Sequence, residues 1–80
     1  MISAPQPLTS LAAGQSGVVA ELVLPGDMRA RLLELGLTSG TSVQLLRFAP
    51  LGDPVEILVR GSHLSLRRHE AELVLVHGPS

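Results

Sequence analysis

Glycine and proline cut this chain into short pieces. Pro25-Gly26, Gly36, Gly40, Pro50, Gly52, Pro54 and Gly61 interrupt its middle, so neither long helices nor long strands fit there. The pieces between the breaks mostly carry the pattern of strands. Residues 15–24 read QSGVVAELVL, where Val18, Ala20, Leu22 and Leu24 alternate with Val19, Glu21 and Val23, the period of two expected of a strand. Further strands are predicted over 41–48 (TSVQLLRF), over 54–60 (PVEILVR, with Val55, Ile57 and Val59 on one face), over the brief HLSL at 63–66, and over 71–77 (AELVLVH).

One piece has a different period. After Pro25-Gly26-Asp27, the residues Met28, Leu32 and Leu35 fall at i, i+4 and i+7 and share one face of a helix. Asp27 sits where an N-cap belongs, or just inside it, Asp27 and Arg31 have the spacing of a favourable i, i+4 pair, and Gly36 supplies the stop. Ala30, Leu33 and Leu37 form a second apolar line, turned away from the first. A helix on a barrel buries one stripe, so the second needs the N-terminal segment or a partner to cover it.

The order is therefore strand, short helix, and several short strands with close turns. Barrel closure removes the exposed edges such strands would leave. The expected fold is mainly β, a small SH3-like β-barrel with one short α-helix inserted between the first two strands. Residues 1–7, with Pro5 and Pro7, are expected to be a flexible N-terminus, residues 8–77 the domain, and residues 78–80 a tail.

Composition narrows the chemistry. The chain has 80 residues, is 45% apolar and has a single aromatic, Phe48, so its core must be aliphatic. So much aliphatic surface on a small body favours a binding module or a homo-oligomer. There is no cysteine and no lysine, and the net charge is −1, which rules out thiolate and lysine-amine mechanisms and argues against a nucleic-acid binder. No apolar run approaches the roughly 20 residues of a membrane helix, and the N-terminus lacks a signal-peptide pattern. A cytoplasmic location with no direct membrane insertion is expected.

The candidate sites mostly resolve into turns and surface residues. His69-Glu70 opens HEAEL, which lacks the second histidine of the zinc-protease motif, and His63 and His77 lie on separate elements. GLTSGT at 36–41 has the wrong order for a phosphate loop, since it follows a helix and precedes a strand. No serine stands in a nucleophile elbow. Arg67-Arg68 is the one paired basic spot, with Glu70 and Glu72 beside it; it reads as a solvated corner whose charges balance, with a partner contact as the alternative. No catalytic, cofactor or metal residue is assigned. Pro50, Leu51, Gly52, Asp53 and Pro54 sit between two strands and read as a hairpin tip, not a pocket.

Taken in register, these segments resemble the FeoA family. The likeness rests on Leu32-Leu33-Glu34-Leu35-Gly36-Leu37, Gly40-Thr41, Pro50-Leu51-Gly52-Asp53-Pro54, and Leu64-Ser65-Leu66-Arg67-Arg68-His69-Glu70-Ala71. Leu8-Thr9-Ser10-Leu11 and Gly14-Gln15 extend it towards the N-terminus, and Ser39 departs from it where proline is common. The resemblance implies a non-catalytic, cytosolic accessory of bacterial Fe(II) uptake that acts on the membrane transporter FeoB, which carries a GTP-binding domain. It also implies an alternative, a metal- or ligand-sensing regulatory domain like the one that closes iron-dependent repressors of the DtxR type. With no helix-turn-helix in the chain, the free-standing accessory is the preferred expectation. Leu33, Leu37 and the 50–54 loop are the expected partner contacts.

Overall fold

The computed structural model describes residues 4–78. Its elements in order are β1 (Gln6–Pro7), a 3-10 turn (Leu8–Ser10), β2 (Ser16–Leu22), α1 (Gly26–Glu34), β3 (Ser42–Phe48), β4 (Val55–Val59), β5 (Ser62–Leu66), α2 (Arg68–Ala71) and β6 (Val74–His77). The six strands form one antiparallel sheet in the order β1-β6-β2-β3-β4-β5. This is the mainly β, SH3-like architecture the sequence predicts, with α1 between β2 and β3. The numbering moves by one because Gln6 and Pro7, expected to be loose, pair with Val76 and Leu75 of β6. Proline is tolerated there because β1 is an edge strand and needs no inward N–H from that residue. Of the expected flexible N-terminus, residues 1–3 lie outside the described residues, as do residues 79–80 of the tail.

The core is aliphatic throughout. Val43 and Leu45 of β3, Val55, Ile57 and Val59 of β4, Leu66 of β5, and Val74 and Val76 of β6 are all buried on one face of the sheet. Leu8 and Leu11 flank the first turn and seal the same core. On β2 the simple alternation fails. Gly17 and Val19 face inward, but the register to β6 shifts between Val19 and Glu21, so Leu22 and not Glu21 is the next to point in. A bulge adds one residue and swaps the faces of everything after it. Gly17 is required for a different reason: a Cβ there would lie 2.9 Å from the carbonyl oxygen of His77, where β2 and β6 press together.

Helix α1 begins at Gly26, so Asp27 takes the second of its two expected places, just inside the N-cap. Pro25 holds the N-cap without a side-chain bond, and Asp27 lies in the first turn, where its charge still suits the helix dipole. The C-terminal end changes the reading of the apolar stripes. Gly36 (φ +104°) turns the chain, with the Gly36 N–H bonded to the Leu33 carbonyl at 3.1 Å and the Leu37 N–H to the Leu32 carbonyl at 3.0 Å. These two bonds are a Schellman motif, in which the residue after the glycine folds back onto the last helical turn. Leu37 therefore leaves the helical stripe and is 0% exposed beside the equally buried Leu32. Leu37 is excluded as a partner contact. Leu35, expected in the core, is left 37% exposed as the C-cap.

Candidate functional site

The 50–54 loop joins β3 to β4 and is tied to itself and to α2. The Ala49 N–H donates to the Pro54 carbonyl at 2.9 Å, and the Gly52 N–H to the Ala49 carbonyl at 2.8 Å. Pro50, Leu51, Asp53 and Pro54 are exposed and Gly52 is half-buried. Leu51 has φ +71° and its side chain stands wholly in solvent. A branched residue in the left-handed region costs about 1 kcal/mol or more relative to glycine. An apolar side chain is thus held outward at a local cost, which is the kind of feature that accompanies a contact surface.

Arg68 anchors the loop. Its backbone N–H donates to Asp53 Oδ1 at 3.1 Å, so a loop carboxylate caps the first turn of α2. Its guanidinium donates to the Gly52 carbonyl at 3.3 Å, stands 5.6 Å from the centroid of the Phe48 ring, and pairs with Glu72 at 3.6 Å. Asp53 is consequently a positioning residue whose carboxylate is already engaged. The exposed apolar surface of the loop is that of Leu51, Pro50 and Pro54.

Beside the loop lies an open cleft of about 480 Å³ lined by Arg31, Pro54, Ser65, Leu66, Arg67 and Glu70. Glu70 is 5% exposed, although it belongs to a corner expected to be solvated. Its Oε2 accepts a hydrogen bond from Arg31 Nη2, and its Oε1 accepts one from the Arg67 N–H at 3.0 Å. Burial pushes the Glu70 carboxyl upward; the hydrogen bonds from Arg31 and Arg67, with the charges of Arg31 and His69, outweigh it and hold the carboxyl below its ordinary range. Arg31 therefore ties α1 to α2 and does not make the helical pair with Asp27 that its spacing offered. The signal for Glu70 was present in the sequence, because a glutamate at the third position of a helix commonly reaches back to the first N–H. Nothing local pointed to Arg31, whose partner is 39 residues away.

Leu33 is half-buried on α1 and packs against the core. It lies on a different element from the 50–54 loop and is not among the residues lining the cleft that Arg31 and Pro54 share. The histidines do not converge. His63 Nε2 is 2.9 Å from Glu56 Oε1 on the outer face of the sheet, while His69 and His77 are exposed elsewhere. Among the described residues no three His, Cys, Asp or Glu side chains gather as a metal site would need. The 36–41 turn is occupied by its own bonds: the Thr38 and Thr41 hydroxyls lie 2.8 Å apart, and Arg60 donates to Thr41 at 3.2 Å. No described helix is long and apolar enough to cross a membrane.

The family model of the FeoA domain matches residues 6–77, from the first strand to the last. The chain belongs to the FeoA domain family. A solution structure of a FeoA protein from Chlorobium tepidum is 42% identical, with a TM-score of 0.88 over 92% of this chain and 70% of that one. A curated relative from Porphyromonas gingivalis, a fusion of Fe(2+) transport protein A with the Fe(2+) transporter FeoB, is 33% identical over 69 residues. That match takes in 86% of this FeoA domain and only 8% of the fusion protein. A manganese-dependent transcriptional repressor shares the fold at a TM-score of 0.86 and 15% identity, over 95% of this chain and 37% of that one. The last likeness is one of architecture alone.

Proposed function

We propose that this FeoA domain serves ferrous-iron uptake as a non-catalytic module that docks on the cytosolic part of a FeoB-type transporter. The observation that carries this reading is the Porphyromonas gingivalis fusion, in which a relative of this chain and the transporter are one polypeptide. Covalent linkage is useful where two modules work in contact, because it replaces a bimolecular encounter by a high effective concentration. The outward Leu51 on a loop braced by Arg68 supports the reading from the other side, since it offers a rigid apolar anchor that needs no rearrangement to engage. The sensing alternative draws support only from the repressor's architecture, and no ligand set among the described residues favours it.

The test is capture of the transporter's cytosolic part by the immobilised domain, wild type against Leu51→Asn. Asparagine tolerates the left-handed backbone, so this variant keeps the loop and removes the apolar knob. Wild-type capture that falls at least severalfold in the folded variant is the expected result. Equal capture by the variant would exclude Leu51 as the anchor, and no capture by wild type would exclude docking.

A further inference from the structure

We infer that the cleft between α1, β5 and α2 takes an extended acidic segment of a partner protein, which lies along the outer edge of β5 and sets a carboxylate on Arg67. Three observations lead there. First, β5 is the last strand of the sheet and pairs with β4 alone among the described residues, so its other edge offers backbone donors and acceptors to an added strand. Ser65, Leu66 and Arg67, at the end of that edge, also line the cleft.

Second, the charges are unequally used. Glu70 is the one acid of the cleft, and Arg31 already holds it. The Arg67 side chain is exposed and makes no ion pair or hydrogen bond among the described residues; its backbone alone is engaged, the N–H donating to Glu70 Oε1 and the carbonyl accepting from the Glu70 and Ala71 N–H groups. A carboxylate arriving in the cleft meets an unspent guanidinium, able to bind it through two parallel N–H donors. A basic segment would meet the same charge as a repulsion, which gives the edge its selectivity. Third, the walls are set beforehand: Arg31 is fixed by Glu70, and Pro54 follows the loop that Arg68 and Asp53 brace. Little ordering is left for the moment of binding.

The inference leans on the docking reading for its biological setting, but its chemistry can be tested separately. A random-peptide phage library is panned against the 80-residue protein, and selected peptides are titrated against wild type and Arg67→Glu. The substitution leaves the backbone cap of α2 in place. Aspartate and glutamate should be enriched among the selected peptides, and their binding should weaken about tenfold or more in Arg67→Glu. Amide shifts should cluster on residues 62–67, and added salt should weaken the complex. An absence of selected peptides, no acidic enrichment, equal binding by Arg67→Glu, or shifts confined to the β1 side would each overturn the inference. If peptides fail while wild type still captures the transporter, the acidic-strand inference alone falls. If peptides bind as described and the transporter is not captured, the docking reading alone falls.

Discussion

Replacing Glu70 tests the joint between the two helices most directly. In Glu70→Ala, the Arg67 N–H loses its acceptor, a capping loss of about 1 kcal/mol. The bond to Arg31 is lost as well. A charge-assisted hydrogen bond is worth about 1.5–3 kcal/mol when buried. The Arg31 side chain is 49% exposed, so solvent screening brings this contribution to about 1 kcal/mol. Together the variant should lose about 2 kcal/mol, which at a urea slope of roughly 1 kcal/mol/M lowers the unfolding midpoint by about 2 M. Glu70→Gln keeps an acceptor for Arg67 and should lose about half as much. The two variants should also differ from wild type in pH dependence. Because the folded carboxyl titrates below its ordinary range, the unfolded chain binds the proton more readily. The stability from Glu70 is therefore complete above the ordinary carboxylate range of about pH 4, and is lost as pH falls through that value and then the lower folded one. Urea titrations across this window should show a steeper acid decline for wild type than for either variant. A midpoint shift corresponding to less than about 0.5 kcal/mol in Glu70→Ala, the level of an ordinary surface change, would refute the reasoning.

Two further substitutions separate backbone from packing at the end of α1. Gly36→Ala adds a Cβ whose nearest neighbour is Val59 Cγ1 at an ordinary 3.6 Å, so its cost should be that of the left-handed backbone alone, about 1–2 kcal/mol by urea denaturation. Leu37→Ala should cost about 2–5 kcal/mol in the same assay, as expected of a fully buried leucine and not of a surface contact.

Much of the fold was legible because local physics determined it. The alternation in 54–60 survived folding unchanged, since Val55, Ile57 and Val59 are buried while Glu56 and Leu58 between them are only half-buried. Gly36 ended α1 as its position required, and the two prolines and the glycine of the 50–54 loop made a hairpin tip. What misled were places where one extra residue or one turn changed a face. The bulge at Ala20 swapped Val19 and Leu22 into register with the core, and a period of two contains no trace of an inserted residue. Leu37 kept helical spacing in the sequence but followed a glycine that had already turned the chain.

The candidate site divides in the same way. Composition and turn chemistry alone determined that the core is aliphatic, that α1 is short, and that the chain reverses between Pro50 and Pro54. Only the tertiary structure decided that Leu51 stands outward while Asp53 turns to cap α2, because the cap donor comes from a segment 15 residues further on. Only the tertiary structure joined Arg31 to Glu70 and left Arg67 unspent at the edge of β5. Short-range pattern records which way a backbone can turn. Which charges are satisfied depends on elements far apart in the chain, and these meet only when the sheet closes around its core.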